Sequence, residues 1–215
     1  MSRIVFILVL CFSSLCVNAQ DVSSRAYHEM LRLQHEGVDT IVTFGKLLTR
    51  FSDPETSKQL GEIAVEESVF IFYKSKGKAF VERCMSFADS TGRFGIYAIS
   101  KPMIVVADSM LKWVAGDAEK ISSQPICSYI FEQKADSTNT VYDLYADHHP
   151  IRIIIRIHIK EDKPGIGFSL GDLDYLYSVY APENLNYLYN IKTPAYKLFS
   201  MLEKIADSVK NDLRY

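Results

Sequence analysis

Cysteine is scarce in this chain: 215 residues contain 4, and two of these, Cys11 and Cys16, fall before Gln20. That excludes the disulfide-dense scaffolds of small secreted modules, which replace a core with crosslinks. Charge of one sign is also lacking. The formal net charge is −2 and no basic run occurs, so nothing marks a nucleic-acid or anionic-membrane binder. Beyond the first twenty or so residues, no apolar stretch is long enough to cross a bilayer. No Asn-x-Ser/Thr acceptor is present, and no G-x-x-x-x-G-K phosphate loop. Gly165-Ile166-Gly167 opens like a dinucleotide loop but has Leu170 where the third glycine belongs. His28-Glu29 and His35-Glu36 open an H-E-x-x-H pattern, yet Arg32 and Asp39 stand in the second histidine's place. No cofactor is implied.

What is present begins with a leader. Arg3 gives a short positive region, Ile4 to Phe12 an apolar one, and Val17-Asn18-Ala19 a small-residue cleavage motif ending before Gln20. The apolar run is too short to span a membrane and is followed by polar sequence. Residues 1–19 are therefore expected to be a signal peptide. Cys11 and Cys16 each follow a leucine, which does not suit a lipid-acceptor site. Loss of Arg3 takes the net charge from −2 to −3. The expectation is an exported protein, periplasmic or secreted. Few cysteines and no glycosylation site favour a bacterial envelope. Cys84 and Cys127 remain, either bridged or as two buried thiols.

Apolar residues make up 48% of the chain, enough for a sizeable core. The strongest pattern is Ile151-Arg-Ile-Ile-Ile-Arg-Ile-His-Ile159, with isoleucine at every second position. Only a β-strand puts those five side chains on one face. Around it, Cys127 to Phe131, Tyr142 to Ala146, Ile166 to Leu170 and Leu173 to Val179 also alternate. The expected register sets Leu144 opposite Ile153 and Phe168 opposite Ile157, with a hairpin at Gly171-Asp172. Helical spacing appears earlier: Ser24 to about Thr49 through Ile41, Phe44 and Leu48, then a start at Ser52-Asp53-Pro54-Glu55. Phe80, Cys84 and Phe87 suggest a third helix, and Met103 to Trp113 a fourth, ended by Gly116. Thr193-Pro194 opens a last helix with Leu198, Leu202, Ile205 and Val209 on one face. The predicted architecture is α+β, with N-terminal helices and a C-terminal helix packed on one face of a four- to five-stranded antiparallel meander. Residues 20–215 form one domain: a helical half over about 24–117, a sheet over about 125–180 and a helix over about 194–213.

Gly167-Phe168-Ser169-Leu170-Gly171 matches the G-x-S-x-G nucleophile elbow, which needs an acid and then a histidine further along. All 5 histidines precede Ser169, so a glycine-bearing strand explains the motif better. Asp147-His148-His149 has metal-ligand chemistry, but neighbouring side chains in a turn point apart, and the reading is a solvated turn. On the polar face of the isoleucine strand, the expected register puts Asp143 beside Arg152 and Arg156, Ser169 opposite Arg156 and Gly167 opposite His158. Small residues beside cations would leave a trough for an anion. Arg152, Arg156, His158, Ser169 and Asp174 are thus a candidate ligand-binding set. Leu-Asp-Tyr-Leu-Tyr at 173–177 returns as Leu-Asn-Tyr-Leu-Tyr at 185–189, and Tyr175, Tyr177, Tyr187 and Tyr189 form a candidate contact surface. Export without a catalytic constellation points to a non-enzymatic binding or interaction protein of the envelope. Its partner would be a small anionic ligand, a glycan or a protein. The alternative is a secreted hydrolase-type enzyme with a scattered site.

Overall fold

A computed structural model describes residues 22–48, 66–88, 94–134, 140–144, 151–176, 182–210 and 212. The chain runs α1 (Val22–His35), β1 (Thr40–Leu48), β2 (Glu66–Ser75), β3 (Lys78–Ala88), β4 (Phe94–Ile99), β5 (Met103–Ile104) and α2 (Asp108–Ser123). It continues with β6 (Ile130–Lys134), β7 (Thr140–Leu144), β8 (Ile151–Ile159), β9 (Glu161–Asp162) and β10 (Ile166–Ser169). A 3₁₀ turn (Leu170–Leu173), the short α3 (Tyr187–Asn190) and α4 (Pro194–Val209) complete it. The class is α+β, built on an antiparallel sheet ordered β10-β8-β1-β2-β3-β4, with β5 on β3 and β9 on β8.

The isoleucine strand behaves as its alternation demands. Ile153, Ile155 and Ile157 are at most 1% exposed, each contributing roughly 1.5–3 kcal/mol by leaving water. They face Phe44, Phe72 and Val81 of neighbouring strands, with α2 and α4 closing that side through Met110, Leu111, Leu198 and Leu202. The opposite face, with Ile41, Val69, Ile71 and Cys84, is covered by α1 through Ala26, Met30 and Leu33. Helices therefore lie on both faces of the sheet, not on one.

Residues 40–48 and 78–88 form strands where helical spacing is read. β1 is buried on both sides, Val42 and Phe44 toward one cluster and Ile41 toward the other. Two-sided burial erases the polar alternation that identifies a strand. The helix from Ser24 ends early because Gly37 adopts φ 82°. Val38 N–H bonds to the Leu33 carbonyl and Gly37 N–H to that of Gln34, a Schellman closure that also buries Val38. The expected start at 52–55 lies outside the described residues. α2 begins only at Asp108; its backbone departs from helical angles at Asp117, just after Gly116, but continues to Ser123. The last helix is as expected, with the Thr193 hydroxyl accepting from Tyr196 N–H.

The expected meander is also revised. β7 pairs with β6 in a separate two-stranded sheet, so Leu144 does not oppose Ile153. The neighbours of β8 are β1, β10 and β9. β10 is displaced four residues from the expected register: Ile166 opposes Ile155 and Phe168 opposes Ile153. The cause is β9, which folds back on the end of β8 through Lys160 at φ 58°. An even displacement preserves facing, so Ile166 and Phe168 still enter the core. No hairpin forms at Gly171-Asp172. Asp172 instead closes a capping box with Ser169 and starts the 3₁₀ turn, which replaces the first part of the expected fifth strand.

Candidate functional site

β8 turns Arg152, Ile154, Arg156 and His158 toward the face that α1 covers in part. Their neighbours differ from those expected. Ser169 opposes Arg152, and Gly167 opposes Ile154. β7 is not beside β8, so Asp143 is not a cross-strand neighbour of either arginine. His158 Nδ1 lies 2.7 Å from Asp162 Oδ1, a pair made by the tight return of β9. Arg156 lies over Tyr27 of α1, 6.0 Å from the ring centroid. The crevice beside it, bounded by Tyr27, Met30, Thr43 and Gly45, holds about 20 Å³, little more than a water molecule. Ser169 accepts from Asp172 N–H and donates its own N–H to Asp172 Oδ2 at 2.8 Å. His158 and Ser169 are separated by six residues of strand, about 20 Å, so they form no nucleophile–base pair. Asp174 stands apart, its carbonyl accepting from Asn184. The five residues are thus spread along a strand and a turn rather than gathered in one pocket.

The tyrosine segment is organised by its internal repeat. Asn184, buried, donates to the carbonyls of Asp172 and Asp174, both at 3.1 Å. Its N–H donates to the Tyr175 carbonyl at 2.9 Å. Residues 173–176 therefore lie beside the second copy, with the Tyr175 and Tyr187 rings 5.4 Å apart. Asn190, fully buried, donates to the carbonyls of Cys127 and Asp172 and accepts from Cys127 N–H. Asp172 Oδ1 accepts from Tyr129 N–H at 2.8 Å. This amide–carboxylate knot holds residues 127–129, 169–174 and 184–190 together and leaves Leu185, Leu188 and Tyr189 facing outward. Tyr177 lies outside the described residues.

Cys84 and Cys127 are free thiols. Cys84 sits under α1, whereas Cys127 follows Ile126 of the opposite cluster, so the sheet stands between them.

Two features were missed from sequence. Glu82 on β3 is 2% exposed and accepts from the Tyr73 hydroxyl at 2.6 Å. Arg32 of α1, paired with Glu29 and Glu36, reaches it at 3.7 Å. Burial pushes the Glu82 carboxyl up to about 7, Glu29 adding to the rise while Tyr73 and Arg32 oppose it. Its sequence signal is an acid two residues from Phe80 and from Cys84, visible only once 78–88 is read as a strand. The second feature is a groove of about 670 Å³ between α2 and α4. Among the described residues no group of acids, histidines and cysteines is arranged to hold a metal, and no helix is long and apolar enough to cross a membrane. No protein-family model, no curated protein and no solved structure matches the chain.

Proposed function

We propose that this is an exported, non-enzymatic interaction protein of a bacterial envelope, engaging a protein partner through the paired Tyr-Leu repeat. The observation that carries this is concentrated exposure of large apolar side chains. Leu188 is 62% exposed, Leu185 and Tyr189 47%, Tyr175 44% and Leu176 42%. Single exposed leucines are ordinary, but five such groups on two adjoining turns make a patch of the kind that marks contact surfaces. Tyrosine suits such a role because ring and hydroxyl are both used. The Asn184 and Asn190 bonds fix the turns beforehand, which lowers the ordering cost of association. The leader supports export.

The test places a photo-crosslinking amino acid at position 188 in cells, with a control at position 106, where Val106 is 99% exposed. The expected result is a single adduct of reproducible mass from 188, absent from 106 and diminished by Leu185→Asp. Absence of any adduct, or the same adducts from both positions, would overturn the proposal.

A further inference from the structure

We propose that the groove between α2 and α4 is a binding site for a monomeric anionic amphiphile, a molecule with an apolar body and a carboxylate or phosphate head. Its size, about 670 Å³, lies in the range of small-molecule sites. Helical geometry builds its walls. On α2, Trp113, Asp117 and Lys120 recur at one-turn and two-turn spacing. On α4, Lys197, Met201 and Lys204 do the same, so the two lysines are about 10 Å apart along the axis.

Charge selects the ligand's sign. Lys120, Lys192, Lys197 and Lys204 line the groove against one acid, Asp117. None of those four lysines joins an ion pair among the described residues, whereas Lys46, Lys74, Lys112 and Lys163 all do. Lys197 is instead held over Trp113, 4.6 Å from the ring centroid, which keeps a cation on the wall without neutralising it.

The remaining lining selects the body. Trp113, Ile191, Pro194, Tyr196 and Met201 are apolar or largely so, and neither asparagine nor glutamine is present. A neutral sugar would find few of the amides that pair its hydroxyls. Arginine is absent too, so an anion meets point charges rather than a planar fork, which accommodates either head group.

Trp113 is the chain's one tryptophan, so its emission reports the groove directly. The test titrates the full mature chain with decyl phosphate below its micelle concentration, beside decanol, inorganic phosphate and phosphatidylglycerol vesicles. A saturable shift with decyl phosphate alone is expected, weakened about tenfold in Kd by joint Lys197→Gln and Lys204→Gln and by added salt. Circular dichroism confirms that this double variant folds. The proposal fails if decyl phosphate gives no saturable shift, if decanol or phosphate binds as well, or if only vesicles respond. It also fails if the folded double variant binds unchanged.

Discussion

Burial of Glu82 couples folding to pH in a direction that can be worked out. The carboxyl rises from an ordinary value of 4.5 to about 7 in the fold. Between these values the folded chain holds a proton that the unfolded chain has released, so stability falls as pH rises through that window. The slope has a ceiling of about 1.4 kcal/mol per pH unit. Glu82→Gln keeps an acceptor for the Tyr73 hydroxyl and cannot ionise. Urea unfolding at pH 5, 6, 7 and 8 should show the wild type losing stability across the series. The variant should be flatter and at least as stable at pH 8; a parallel loss in both would remove Glu82 as the cause. Cys84, two residues along, is pushed up to about 12 by burial first and then by Glu29 and Glu82. It therefore stays a thiol, which suits a packing role over a reactive one.

At the scale of elements, the amide knot before α4 controls both outward surfaces: the Tyr-Leu turns on one side and Ile191 to Pro194 of the groove on the other. Asn190→Ala removes the partners of Cys127 N–H and of two carbonyls. The expected loss is roughly 2–4 kcal/mol, read as a lower urea midpoint, whereas Asn186→Ala, at a half-buried residue whose side chain reaches only the Ser128 carbonyl, should cost less. β8 and α4 were legible in the sequence because each keeps charged residues (Arg152 and Arg156, Lys197 and Lys204) opposite its fully buried row, leaving a period of two or of three to four. β1 and β3 were not, since burial on both faces puts Ile41, Val42 and Phe44 so close together that helical spacing fits them too. Glycine was misread in both senses. Gly37 ends α1 outright, whereas α2 passes Gly116 with only a local departure.

At the scale of the molecule, the class could be read from the sequence but the layers could not, because no local pattern reports which side of a sheet a helix takes. The candidate surfaces were legible in unequal parts. Tyr175, Tyr187 and Tyr189 stood out as a repeated motif. The groove lysines are scattered over 120, 192, 197 and 204 and converge only when α2 and α4 pack together. Arg152 and Ser169 were paired wrongly with their neighbours because a short return strand, invisible as a period, set the register. The proposed export makes its own prediction. Expressed in a bacterium with a periplasm, the chain should leave the cytoplasm, and intact-mass analysis should show a mature form beginning at Gln20. A retained Met1 on exported protein would argue against cleavage there.

The pairing of β1 with β8 bears on the order of folding. β1 is bordered by β2 on one edge and by β8 on the other, with Thr40 opposite Ile159. A ribosome delivers the first of those partners early and the second only after most of the chain. The sheet centre therefore stays open through most of synthesis, and closing it spends the entropy of a very long loop. A chain that cannot complete its middle until its last third exists remains threadable while it is being made. The proposed export, through a channel that accepts only unfolded polypeptide, would be served by that delay.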